Sequence, residues 1–442
     1  MDDVAVFCSD PLSVRRLMCI CDQFERASGA KVNRGKNEAM LFGNWADQSS
    51  IPFTVRTDHL KVLGIWFGGA GACAKSWEER ISKVRQKLGR WKLRSLSITG
   101  KNLVIRCEAL SLLLYVSQVW PIPRTCAAAV TRATFQFIWR SKMDPVRRDS
   151  LYKDLGNGGK NTPNATLTLM ATFVCGCIKL CQDPRYANTK CHYVLRFYLS
   201  PVLRRMGLAS LPRNAPSSWT IPYHLSFVEK FLKKNTFDHK SIRKWSARSV
   251  LETLREKESA DPVEWFPEQT VKAIWQNASS PERSNKHQNM AWLVVRRALP
   301  VRSFMHAQTL SRTTRCPRSG CGGDETVTHL LLECAYAEEV WRGMQWCLSR
   351  FVPSSAMTRD SVLYGLFPRT HTETNINCAW RIINLVKDAL WAVRNLLIFQ
   401  LKELTPTECC RLAHSKVQDY VLRDALKLGA AAAKARWGKT TV

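Results

Sequence analysis

Cys316-Pro317-Arg318-Ser319-Gly320-Cys321-Gly322-Gly323-Asp324-Glu325-Thr326-Val327-Thr328-His329-Leu330-Leu331-Leu332-Glu333-Cys334 is the stretch from which the chain is most readily understood. It sets Cys316, Cys321, His329 and Cys334 in the spacing C-x4-C-x7-H-x4-C. Three thiolates and one imidazole suit the tetrahedral preference of Zn2+, and four protein ligands leave no open position, so the expected zinc is structural. Pro317, Gly320, Gly322 and Gly323 let the backbone turn tightly around the first two thiolates. Thr328 to Cys334 reads as a short helix with His329 and Cys334 facing inward near its ends, and Leu330, Leu331 and Leu332 packing beneath. Arg312, Arg315 and Arg318 place cations beside the cluster.

Outward from this stretch the pattern is helical. Met290 to Leu299 is an amphipathic run, preceded by a polar stretch, Pro281 to Asn289, that reads as a linker. Ile376 to Leu404 and Glu408 to Leu428 are helical segments, and the tail from Gly429 to Val442 reads as a frayed helix or as disordered. Residues 160–290 alternate apolar helix-like pieces with breaks such as Leu211 to Pro222 and carry no catalytic pattern. The longest apolar run, Leu167 to Cys181, is short for a membrane span and contains Lys179. Its Cys175, Cys177 and Cys181 read as small core residues.

Between Lys75 and Lys160 there are 18 Lys and Arg against 6 Asp and Glu. Ile81, Val84, Leu88 and Trp91 form one apolar face there, with Lys83, Arg85, Lys87, Arg90 and Lys92 crowding the others. A second helical run covers Leu103 to Val119 and stops at Pro121 and Pro123; a third contains Val130, Phe135, Ile138 and Trp139. Antiparallel helices with a cationic flank are expected, and the flank fits nucleic acid. The first 70 residues read as mixed α/β. Val4 to Phe7 reads as a strand, a helix starts at Asp10 and Pro11 and ends at Gly29, and further strands lie at Met40 to Phe42 and at Leu60 to Phe67, the last broken by Gly64.

The whole chain has 442 residues, 45% hydrophobic and 23% charged, which fits a globular protein of several domains. Its net charge of +30 argues for a polyanionic partner, nucleic acid or an acidic membrane surface. The 16 Trp suit either core packing or base stacking. With no secretory signal, most of the 17 Cys are expected to be reduced thiols in the nucleus or cytoplasm. There is no phosphate loop, no Gly-x-Ser-x-Gly elbow and no His-Glu-x-x-His motif.

In this frame the N-terminal residues gain a meaning that they lack alone. Met1-Asp2-Asp3-Val4-Ala5-Val6-Phe7 resembles the aspartate-pair hairpin of reverse transcriptases, and more specifically that of LINE-type (non-LTR) retrotransposons. Ser28 to Lys36 resembles the next family motif, Leu60 to Ile65 resembles the following strand motif with Val62 for its usual Tyr, and Trp91 to Lys101 resembles the opening of the thumb. Phe135 to Trp139 resembles the thumb's close, and the Cys316 to Cys334 cluster with Trp341 resembles the family's zinc-binding segment.

The resemblance implies an α+β chain. A partial polymerase palm (1–72, a short antiparallel sheet plus helix) would precede a basic helical thumb (73–160), a helical connector (161–289) and a C-terminal zinc-binding helical domain (290–442). It implies that Asp2 is a Mg2+ ligand in the intact parent polymerase, supported by Asp3, with Lys36 near the incoming nucleotide. It implies RNA and DNA as partners, template–primer and element RNA, and no membrane. The expected contacts are Lys83, Arg85, Lys87, Arg90, Lys92, Lys101, Arg312, Arg315 and Arg318. The earlier aspartate strand and the fingers of such enzymes have no counterpart in these residues, so the chain is expected not to polymerise alone. Primer extension on an RNA template with Mg2+, lost in Asp2→Ala, would contradict that. The competing expectation is a non-enzymatic zinc-containing scaffold whose basic faces bind acidic proteins or lipids.

Overall fold

The computed structural model describes residues 4–43, 45, 51–208, 210–211, 220–235, 237, 245–256, 258–368 and 370–438. Asp2 and Asp3 lie outside the described residues. Helix α1 (Pro11–Ser28) starts and stops where the sequence puts its signals. Asp10 Oδ1 accepts from the Ser13 amide at 2.7 Å, Pro11 fills the first turn, and Gly29 ends the helix at φ 72°. Of its apolar residues only Val14 is buried; Leu12, Ile20 and Phe24 are exposed. Val4 to Phe7 does not form the expected strand: no neighbour takes up its backbone groups among the described residues, and Phe7 is 93% exposed.

Strand β1 (Glu38–Ala39) pairs in parallel with β2 (Thr54–Val55), so the ladder ends before the expected strand at Met40 to Phe42. β3 (His59–Val62) and β4 (Ile65–Gly68) are antiparallel, with Val62 opposite Ile65. Leu63 (φ 48°) and Gly64 (φ 79°) are the two turn residues, and positive φ at both gives the twist that a tight hairpin needs. Leu60 to Phe67 is therefore two strands, and Gly64 is the turn between them.

The rest is helical. α2 (Ala72–Lys92) buries Ile81, Val84 and Leu88, and its Ser76 hydroxyl accepts from the Trp66 amide at 3.0 Å, holding the hairpin on the helix. α3 (Ile98–Val104) runs through a π-helical segment, Ile105–Leu110, into α4 (Ser111–Ser117), which ends ahead of Pro121 and Pro123. Then come α5 (Arg124–Trp139), α6 (Arg148–Tyr152), α7 (Ala165–Gln182), α8 (Lys190–Tyr198), α9 (Ser200–Arg205), α10 (Tyr223–Lys234) and α11 (Ala247–Arg255). The C-terminal part holds α12 (Glu268–Ser279), α13 (Asn285–Val295), α14 (Arg302–Ala307), α15 (Ala335–Leu348), α16 (Arg359–Tyr364), α17 (Glu373–Gln400), α18 (Pro406–Leu428) and α19 (Ala430–Trp437). The class is α+β, mostly helical, as the sequence suggests.

Two compact units emerge. The first comprises residues 1–94, 104–137 and 164–256, the second 95–103, 138–163 and 257–442. In the first, Val174 and Ile178 of α7 pack in one cluster with Val202, Leu225, Val228 and Val250. Cys175, Cys177 and Cys181 belong to that cluster, and burial pushes their thiols up to about 12, which makes them inert packing residues. By length and composition α7 could cross a membrane, yet half of it is buried inside this unit.

The second unit is built on α17. Its Lys387 is fully buried, donates to the Val362 carbonyl at 2.9 Å and lies 4.1 Å from the centre of the Trp380 ring. Arg381 donates to Asp424 and to Glu282, each at 2.7 Å, and Trp437 donates to the same Asp424 at 3.0 Å. The tail is thus a docked helix as far as Trp437, anchored by a fully buried indole, not a frayed end. The expected linker Pro281 to Asn289 also becomes helix from Asn285, because Ser284 caps it. Trp77, Trp275, Trp292 and Trp437 are fully buried, so of the two roles open to the tryptophans these serve packing. Trp275 and Trp292 both lie against Arg296, at 4.6 and 5.5 Å.

Candidate metal centre

The first two thiolates sit on a tight hairpin of the second unit. Arg315 and Asp324 form an antiparallel bridge, the Cys316 amide donates to Gly323 O at 2.8 Å, and the Glu325 amide donates to Thr314 O at 2.8 Å. Gly320 adopts φ 75° at the tip, the left-handed value that glycine accommodates. Gly323 is required for a different reason: a Cβ there would stand 2.8 Å from Cε1 of the His329 ring.

The other two ligands come from the next segment. His329–Glu333 is one turn of π-helix, in which the Cys334 amide donates to His329 O at 2.9 Å. A five-residue hydrogen-bonded period puts His329 and Cys334 on the same side, so the short helix expected here is a π-turn. Thr326 Oγ1 accepts from the His329 amide at 3.0 Å, fixing the start of the turn. Cys334 is the N-cap of α15, where the helix dipole favours a thiolate.

The four donor atoms lie within 4.8 Å of one another, and His329 Nε2 is 3.4 Å from Cys321 Sγ. A tetrahedron with zinc–sulfur distances of about 2.3 Å has edges of about 3.8 Å, so the donors already stand near their working separations. Backbone amides of Arg318 and Tyr336 point at the sulfurs of Cys316 and Cys334 and favour their charged forms. Without metal, the Cys316 thiol donates to Cys334, which lowers Cys334 and keeps the proton on Cys316. Zinc replaces that proton, so binding is coupled to its release. The cluster is a structural zinc site, with all four positions filled by protein.

The anchor of this centre is a residue pair that the sequence reading missed. Glu325, wholly buried beside the hairpin, receives a two-pronged bond from Arg394 of α17, Nε to Oε1 at 2.8 Å and Nη2 to Oε2 at 2.7 Å. The same carboxylate accepts from the Arg302 amide at 2.7 Å, which ties in the start of α14. One buried acid thus joins hairpin, α14 and α17. The available signal was a lone arginine within the apolar run from Ala389 to Phe399.

The expected nucleic-acid contacts divide. Arg312 and Arg315 are exposed beside the hairpin, and Arg315 also donates to Gly322 O. Arg318 is turned inward, its guanidinium carbon 3.2 Å from the centre of the Tyr336 ring, and is only 8% exposed. On α2, Lys83, Arg85, Arg90 and Lys92 are exposed; Lys83 pairs with Glu79, and half-buried Lys87 pairs with Glu108 at 2.6 Å. Lys101 is buried in the last turn of α3, donates to the Ile138 carbonyl, and is lowered by that burial to about 8. Arg318 and Lys101 are therefore structural cations, withdrawn from solvent by aromatic and backbone partners. Lys36 is exposed in a single 3₁₀ turn, Arg34–Lys36, while Asp2 and Asp3 lie outside the described residues.

Residues 245–341 match the family described as zinc-binding in reverse transcriptase. This segment is similar to the zinc-binding domain associated with reverse transcriptases. The match contains the whole Cys316 to Cys334 cluster and ends at Trp341. It begins at Trp245, within the region that the sequence reading assigns to a connector. Arg394, which clamps the knuckle, lies beyond the matched segment.

Proposed function

We propose that this chain is the nucleic-acid-holding part of an RNA-directed DNA polymerase of LINE-type retrotransposons, and that it binds template RNA or DNA. The observation that carries the reading is the coincidence of three things in one segment: the reverse-transcriptase zinc-binding match, the four converged ligands, and the exposed Arg312 and Arg315. The metal gives the hairpin a fixed shape, so Arg315 on it and Arg312 just ahead of it meet phosphates from a backbone that is already ordered. The second contact is α2, whose Arg85, Arg90 and Lys92 are exposed along one helix. The order of the other motifs, from Ser28 to Trp139, supports the LINE-type assignment.

Phosphate contacts release counterions, so each contributes to the dependence of affinity on salt. Replacing Arg85, Arg90 and Lys92 together by Gln is expected to lower the slope of log affinity against log salt by about 2 to 3 for a structured RNA. An unchanged slope would remove α2 from the interface. Complete displacement of the RNA by acidic vesicles, with no displacement by competitor RNA, would point instead to a lipid-binding scaffold.

A further inference from the structure

A cleft of about 300 Å3 opens beside the knuckle in the second unit. Leu332, Trp341, Leu348, Val352, Met357 and Val362 supply its apolar lining, beside the polar Gln345, Ser349 and Ser354. Leu332 belongs to the π-turn between two zinc ligands, and Trp341 is fixed by a 2.7 Å bond from its Nε1 to Leu331 O. The metal centre therefore supplies one wall of the cleft and the anchor of its aromatic ring. The charged residues of the lining are Glu338 and Arg342, one turn apart on α15. Both are exposed, and neither side chain is engaged by another among the described residues. The cleft is at the lower end of the size range of small-molecule sites, which suits a single planar group.

We propose that this cleft takes one unstacked guanine base of a bound single strand. The inference rests on the nucleic-acid reading above and specifies what that reading leaves open. An indole and aliphatic walls suit the faces of any base. The two charges discriminate. A carboxylate accepts from two adjacent donors, and guanine alone among the four bases offers them, N1–H and N2–H. A guanidinium donates to two adjacent acceptors, and guanine offers these too, at O6 and N7. Adenine and cytosine present their amino groups beside a ring nitrogen acceptor, which would face the Glu338 carboxylate. Uracil has one N–H flanked by two carbonyl oxygens.

The test uses the full zinc-loaded chain and single-stranded uridine decamers carrying one central guanine, adenine, cytosine or abasic position. The guanine decamer is expected to bind about tenfold more tightly than the abasic one, at the lower end of what a two-pronged base contact supplies. Glu338→Gln should bring the two within about twofold while leaving the abasic decamer unaffected, because an amide reproduces only half of the acceptor pair. Glu338 is exposed, and zinc stoichiometry confirms that the variant is folded. Equal binding of guanine and abasic decamers would overturn the proposal and leave the phosphate-binding reading in place, as would a guanine preference that survives Glu338→Gln. If no decamer binds, guanosine monophosphate is titrated directly. Saturable binding that Glu338→Gln abolishes would support the cleft and sink the strand-binding reading, and no binding would overturn both.

Discussion

Cys321→Ser is expected to leave the purified chain without stoichiometric zinc. A serine hydroxyl is not ionised at neutral pH and cannot replace a thiolate in a four-ligand site. In zinc-finger peptides the bound metal contributes about 10–16 kcal/mol to folding, and here it joins the tip of the hairpin to the π-turn, while the Glu325–Arg394 pair holds only the hairpin's far end. Backbone amides between Thr314 and Cys334 should exchange rapidly in the variant, while those of α7 in the first unit keep their protection. Metal analysis and amide exchange read both effects. A variant that retained one zinc per chain would show that Cys321 is not a ligand, despite its sulfur standing 3.4 Å from His329 Nε2.

Glu325→Gln is expected to destabilise the second unit by about 3–5 kcal/mol, the usual result of removing one partner of a buried ion pair. The amide cannot accept both prongs of Arg394, and the guanidinium is left as an unpaired charge that is only 5% exposed. Zinc affinity should fall as well, because the same carboxylate positions the strand that follows Gly323. The double variant Glu325→Leu/Arg394→Met should recover a large part of the loss, since it removes both charges together. Denaturant midpoints and chelator competition measure these quantities. A Glu325→Gln chain within about 0.5 kcal/mol of the parent, far below the usual cost of breaking such a pair, would show that the clamp is incidental.

The contrast between these residues shows how far a sequence can be read. The zinc ligands were legible because all four fall within one short stretch, with glycines where the turn needs them. α1 was legible for the same reason: Asp10, Pro11 and Gly29 act on their own neighbours. The Glu325–Arg394 clamp joins residues far apart in sequence, and no local pattern pairs them. Lys101 and Arg318 were assigned to the surface because cations usually stay there, but the carbonyl of Ile138 and the ring of Tyr336 reach them from distant segments. Trp437 turns a tail that looks weak by composition into a docked helix through Asp424. Val4 to Phe7 fails in the opposite sense, since its apolar composition asks for a ladder and no strand lies beside it among the described residues.

The most direct test of the account is the salt-titrated affinity of the full chain for a labelled structured RNA, with the zinc in place and after its removal by a chelator. Tight, salt-sensitive binding that weakens on zinc removal, with a residual salt dependence from α2, is the predicted result, because Arg312 and Arg315 lose the fixed hairpin that presents them. An affinity indifferent to the metal, or no binding at physiological salt, would contradict it.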